Sequence, residues 1–483
     1  MPTLNHDSSA VPVNPIDDVS KKMNRRIVGV SLGATLVTMV VLFAAMALAP
    51  VDADAANTCT LTSTAPVTNW SDTTKWSSCG SGYPGQTGAG DTAVVTLSGF
   101  TLNVDTFANP VILQISGGAS SIPIQVASGG TLTLETSSTA TSSNTFTVAS
   151  GGTMGTDSGA NITGYQANIH VNGGTFNSAG TIALTSGTFT YSGGSLTGSG
   201  TINITNSGIF DGAVGAMPIS ATTINDSGFV SYTSAGNAIT LSSGASINVT
   251  GAGQFSITNN AAINGAATET ISIASGASMQ KTGGTGSNTI SCFVKNDGTI
   301  TVAGAGAGGG FGLSGNGTHT GSFVTGSSSQ AIIFAGNNTF NSGASFTGST
   351  PIKIGAGTQT FNASVSATTG LKWSGGTIAG TGPFNISGTS TLDGSNAGMI
   401  LTGVINNTGA MTYAATNLLT INGASANWKR PAVRSRSPAT TTSRPSPRVP
   451  ARCASAAARD KSRRAQARPA RRSWPTSTTP AAR

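Results

Sequence analysis

Gly180-Thr181-Ile182-Ala183-Leu184, Gly187-Thr188-Phe189-Thr190-Tyr191 and Gly200-Thr201-Ile202-Asn203-Ile204 repeat one phrase within a short stretch of chain. A glycine opens each, a hydroxyl residue follows, and apolar and polar residues then alternate. Alternation over four or five residues marks a strand with one buried face, and the glycine ahead of it marks a turn. The phrase recurs at Gly130-Thr131-Leu132-Thr133-Leu134, Gly174-Thr175-Phe176, Gly244-Ala245-Ser246-Ile247-Asn248-Val249 and Gly298-Thr299-Ile300-Thr301-Val302. No window carries a sustained 3.6-residue apolar period, so helix content should be near zero.

Spacing selects the architecture. Glycine anchors fall at Gly130, Gly152 and Gly174, at Gly208 and Gly228, and at Gly253, Gly276 and Gly298, in nearly equal steps. Two or three short strands per period of about 20–23 residues describe one coil of a solenoid. A sandwich or barrel spaces its turn signals about 8–12 residues apart without the longer period. The expected fold is all-β: a right-handed parallel β-solenoid (β-helix) over residues 88–428, with a cap at 57–87. That length gives on the order of fifteen coils, stacked at roughly 4.8 Å.

Composition fits this reading. Only 8% of the 483 residues are charged, against about 25% in an ordinary soluble domain. The 65 glycines and abundant Ser and Thr disfavour a helical bundle, while the regular Ile, Val, Leu and Phe argue against disorder. Each coil buries only alternate strand residues against its neighbours, so 37% apolar content suffices. The net charge of +8 averages three unlike segments: −1 over residues 1–55, −5 over 56–428 and +14 over 429–483.

Residues 27–49 form an uncharged apolar run behind Lys21, Lys22, Arg25 and Arg26, and Ala53-Asp54-Ala55-Ala56 supplies a small-residue site. This is the pattern of a secretory signal peptide over 23–56, cleaved between Ala55 and Ala56; the run is also long enough to serve as an uncleaved anchor. Residues 1–22 read as a cytoplasmic extension or a misplaced start. Everything after residue 56 is expected to be exported, as a secreted or cell-surface protein. Export permits disulfides, and Cys59 with Cys79 is the expected pair, closing the N-terminal edge. His170 and His319 lie too far from both cysteines for a zinc set.

The N-terminal phrase runs from Cys59 through Asn69-Trp70-Ser71-Asp72, Lys75-Trp76-Ser77 and Pro84 to Gly90-Asp91-Thr92. With Trp373-Ser374-Gly375-Gly376-Thr377-Ile378-Ala379-Gly380-Thr381-Gly382 and Asn406-Asn407-Thr408-Gly409-Ala410-Met411-Thr412-Tyr413, it resembles bacterial secreted repeat proteins. The resemblance is to the β-helical passenger regions of autotransporters and to filamentous-haemagglutinin-like adhesins, over about residues 57–428. It implies secretion, a solenoid fold and an adhesin-like or structural role. The membrane β-barrel that follows an autotransporter passenger has no counterpart in this sequence.

β-Helical folds also carry polysaccharide lyases and glycoside hydrolases. Sugar hydrolysis needs two carboxylates across one bond. Here Asp72, Asp91, Asp105, Glu135, Asp157, Asp211, Asp226, Glu269, Asp297 and Asp393 are scattered singly, and residues 56–428 contain no arginine. Asp211 and Asp226 are the nearest pair beyond the first coils and could share a face, but read as turn residues. His170 and His319 have no acid or serine partner at a motif spacing. Gly304-Ala305-Gly306-Ala307-Gly308-Gly309 matches G-x-G-x-x-G with no helix to follow, so it reads as a loop. Gly88-Ala89-Gly90-Asp91 is half a calcium nonapeptide, unrepeated. No catalytic residue, cofactor or metal is expected.

Residues 429–483 hold no glycine, and Arg, Ala and Pro number 13, 12 and 8. The segment reads as a disordered basic tail or, preferably, as an out-of-frame translation, which the coding DNA would show by a one-base shift restoring Gly/Thr repeats. A nucleic-acid arm does not suit an exported protein. The function expected from sequence is therefore a non-enzymatic surface or secreted solenoid. Glycans, host or neighbouring-cell surfaces, or further copies of itself are its expected partners. It meets a membrane only through the N-terminal segment. A polysaccharide-active enzyme is the alternative.

Overall fold

The computed structural model describes residues 56–429, apart from 63–64, 117–120, 142, 304–308 and 327–330. The segment expected at 1–22, the tail expected at 429–483 except for Lys429, the export segment through Ala55, and most of the glycine loop at 304–309 lie outside the described residues.

Among the described residues the chain is strand and turn, with one 3-10 turn at Thr73–Lys75. Parallel strands stack as a β-solenoid of about 15 turns. Three ladders line it. The first runs from Thr58–Leu61 through Asp91–Val95 to Met411–Tyr413, and the second from Val67–Asn69 through Thr101–Val104 to Asn427–Lys429. The third runs from Asn161–Tyr165 to Leu419–Ile421 as a 13-stranded sheet. The first two form one 33-stranded sheet, because the long strands Asn168–Ser178 and Thr188–Thr197 bend from the second ladder into the first.

Register follows the alternation. Ile182, Ile202, Ile224, Ile247, Ile271 and Val294 pair in succession along the third ladder, each one coil beyond the last. All six are buried, and each such side chain contributes about 1.5–3 kcal/mol relative to exposure. The tight turns demand glycine where coils meet: a Cβ at Gly200 would run into the carbonyl oxygen of Gly180. Further along, the interior is aromatic. Phe340, Phe361 and Phe384 stack with centroids 4.9 and 4.4 Å apart, and Phe323 stacks on Phe346 at 5.3 Å.

At the N-terminal end Thr58–Leu61 is parallel to Asp91–Val95 on one side and antiparallel to Trp76–Ser77 on the other. Trp76–Ser77 therefore covers the outer edge, which would otherwise invite strand pairing. Trp70 and Trp76 are buried at 5.0 Å, and their indole N–H groups donate to Pro84 O and Trp70 O, both at 3.0 Å. The Cys59–Cys79 disulfide is formed, with a Cα–Cα distance of 4.8 Å. Thr58–Leu61 and Val67–Asn69 are already rungs of the solenoid, so residues 57–87 do not stand apart from the repeat.

Candidate functional site

Alternation turns every second strand residue outward, and register then stacks those residues into rows. On the third ladder one outward row is Thr181, Thr201, Thr223, Ser246 and Thr270. Beside it run Asn203, Asn225 and Asn248, half-buried by their neighbours. Their amides bond along the solenoid: Asn225 Nδ2 donates to Asn203 Oδ1 at 2.8 Å, and Asn248 Nδ2 donates to Asn225 Oδ1 at 3.0 Å. Ser246 Oγ donates to Thr223 Oγ1 at 3.3 Å. Over the three coils of Asn203, Asn225 and Asn248 the face is an uncharged array of one hydroxyl and one amide per coil, bounded by Ala183 on one side and by Ser272 and then Lys295 on the other. A second such place lies on the second ladder. There Ser366, Asn385, Ser387, Asn406 and Thr408 line a groove of about 230 Å³, with Asn406 Nδ2 donating to Asn385 Oδ1 at 2.8 Å.

Most carboxylates bond to nearby turns. Asp72 accepts from Thr74 N and Oγ1, and Thr74 holds its pKa below the usual value. Asp91 accepts from Asn57 N and Gly85 N, and Asp105 from Ser71 N and Oγ. Asp211 accepts from Ala213 N. Glu269 accepts from Gly244 N, Ala266 N and Thr268 Oγ1, which lower its pKa, Gly244 first. Asp297 accepts from Thr320 Oγ1 and pairs with Lys295 at 3.1 Å. Asp393 accepts from Ser395 and pairs with Lys372 at 3.4 Å.

Two acids are different. Glu135 and Asp157 line one shallow groove of about 210 Å³ with Ser158 and Gly159. Burial raises the Glu135 pKa, and the carboxylates of Asp157 and Asp91 raise it further, against a hydrogen bond from the Gly90 backbone. In the sequence these acids stand one coil apart, each just after the strand pair Leu134 and Thr156. A single turn of the solenoid therefore puts them side by side.

Asp211 and Asp226 do not form a pair. Asp211 is tied to its own turn, whereas Asp226 is the inward residue of Thr223–Asp226, stacked between Ile204 and Val249. It is fully buried. Its Oδ1 accepts from Gly228 N at 3.0 Å while Oδ2 has no partner. Burial raises its pKa to about 7. The interior also holds Lys281, whose Nζ donates to Asn259 O at 2.7 Å and to Asn288 Oδ1; burial lowers its pKa to about 8. A polar residue at an inward beat of the phrase was the available signal for both.

The histidines sit in two different places. His170 meets a serine at the spacing of one coil: Nε2 lies 2.8 Å from Ser192 Oγ. Ser192 is only 2% exposed, and among the described residues no carboxylate bonds His170. The pair fastens a corner and offers no accessible nucleophile. His319 is interior, with Nε2 at 3.0 Å from Asn338 Oδ1. Asn338 Nδ2 donates to Gly336 O and Gln359 Oε1, so Oδ1 is the acceptor and Nε2 carries the proton. Burial drives the His319 pKa to about 4, leaving the ring neutral. Cys292 is buried, and its thiol pKa is pushed up to about 12.

No protein-family model matches the chain, and no curated protein or solved structure matches it either.

Proposed function

We propose that the chain is exported and acts as a non-enzymatic cell-surface or secreted solenoid, adhesin-like or structural, that holds a repetitive neutral partner such as a glycan by avidity. The observation that carries this reading is the paired hydroxyl and amide rows of the third ladder, in register over the three coils of Asn203, Asn225 and Asn248. Each neutral hydrogen bond contributes about 0.5–1.5 kcal/mol net, so affinity has to come from repetition along the array. With a charge of −5 over residues 56–428, little electrostatic steering is available. The engagement of most carboxylates in turns supports the non-enzymatic half of the proposal.

The test is a glycan array probed with the full chain and with Asn203→Ala/Asn225→Ala/Asn248→Ala. Salt-insensitive binding to repeating neutral glycans, weakened at least tenfold by the triple variant, is expected. Salt-sensitive binding to a single small charged ligand overturns the proposal. Glu135 and Asp157 favour a second reading, a polysaccharide-active enzyme with Glu135 as proton donor. Release of reducing sugar from a polysaccharide, abolished by Glu135→Gln, would establish that reading instead.

A further inference from the structure

One outward row of the third ladder is hydroxyl for five coils without a break. Thr181, Thr201, Thr223, Ser246 and Thr270 are direct lateral partners, and no register shift interrupts them. Neighbouring members therefore repeat at the strand spacing of about 4.8 Å, and the row two residues further along each strand lies about 6.6 Å away. That second row holds Asn203, Asn225 and Asn248, whose amides tie three successive coils at 2.8 and 3.0 Å. Side-chain ladders of this kind hold a sheet flat. Among the described residues, the hydroxyls of Thr181, Thr201 and Thr270 have no hydrogen-bond partner, so they are free to order water. Neither row carries a charge or a large side chain before Phe293 and Lys295. Beyond those two, the second row resumes as Thr318, Thr339 and Thr360.

We propose that this face binds ice. Oxygen atoms on the exposed planes of ice repeat in two directions at distances close to those within and between the two rows. Water held by one coil therefore sits where the lattice places the neighbour of water held by the next. Threonine methyl groups lie between the hydroxyls, and water orders laterally against such apolar patches. Each contact is weak, so preorganisation decides the outcome. The backbone ladders fix all five side chains before ice arrives, and little ordering entropy remains to be lost. Repetition along the solenoid then adds the contacts together. No charge takes part, so binding should not respond to salt beyond its colligative effect. Contact with ice requires export, so this inference rests on the exported half of the function proposed above and not on its glycan half.

The experiment is nanolitre osmometry of the purified full chain, with a single ice crystal held just below its melting point. Expected are faceted crystals and a freezing point depressed below the melting point, alike at low and high salt once the colligative shift is subtracted. Thr201→Lys/Thr223→Lys, which raises two long charged side chains from the face, should shrink that gap at least tenfold at equal concentration. Thr201→Val/Thr223→Val keeps the volume and β-branching of both positions, and should shrink it at least twofold. Thr240→Lys/Thr289→Lys, at exposed threonines of the first ladder, should leave it unchanged. A wild-type protein that neither facets ice nor separates the two temperatures overturns the proposal. So does an equal loss in both lysine pairs, or a valine pair that matches the wild type. Ice activity without glycan binding removes the glycan reading alone, and glycan binding without ice activity removes this one alone.

Discussion

His319 fills the space that a side chain at position 317 would need. A Cβ on Gly317 would sit 2.7 Å from His319 Cε1 and Nε2, and 2.7 Å from Asn338 Oδ1. Gly317 is the next member of the isoleucine row after Val294, and the row continues polar through Asn338 and Gln359 before returning to Ile378. The missing aliphatic side chain and the interior imidazole are one substitution spread over two positions.

Gly317→Val should therefore destabilise the solenoid by about 1–3 kcal/mol through overpacking. Gly317→Val combined with His319→Val should cost less than the two single changes summed, because the valine at 317 takes up space that the smaller side chain at 319 vacates. Urea midpoints of the four proteins check this, and strict additivity would show that the two residues do not compete for one volume.

Asp226 should make the protein less stable as pH rises from acid to neutral. Its folded pKa is about 7, against about 3.9 in an unfolded chain. The protonated acid is accommodated in full below the unfolded value, and that contribution is lost as pH climbs through the folded one. Asp226→Asn should match the wild type near pH 3.5 and exceed it by about 4 kcal/mol above pH 7, taking about 1.4 kcal/mol per unit. Thermal melts across that range provide the measurement.

Lys281 acts in a different window. Its folded pKa of about 8 lies below the unfolded value of about 10.4, so stability should rise as pH passes from 8 to 10 and the unfolded chain alone keeps the proton. The gain should be on the order of 2–3 kcal/mol. It should vanish in Lys281→Met, which itself strands Asn259 O and Asn288 Oδ1. Chemical denaturation at pH 8 and pH 10 separates the two proteins.

Reducing Cys59–Cys79, or replacing both with Ser, should lower stability by about 2–4 kcal/mol for a loop of this length. The loss should be concentrated in the first coils, where the bond holds the covering strand. Hydrogen exchange of Thr58–Leu61 with and without reductant reads it directly, while Cys292 should stay unreactive to thiol reagents until the chain unfolds.

The sequence alone determined the strands, their inward and outward residues and the coil period. Ile182, Ile202 and Ile224 could be placed inside because alternation is a local property of a pleated strand, repeating at every second position. The Cys59–Cys79 pairing was legible for the same local reason, two cysteines close together ahead of the regular repeat. What meets what was decided only by the tertiary structure. A residue's neighbours lie one coil away, and the coil varies with turn length: the step from Ile182 to Ile202 is shorter than that from Ile247 to Ile271. Stacking of one coil on the next placed Ser192 against His170 and Glu135 beside Asp157, and it left Asp226 inside the core while Asp211 stayed in its own turn. It also brought Gly317, His319 and Asn338 together, a trade of volumes between coils that no single strand's alternation encodes.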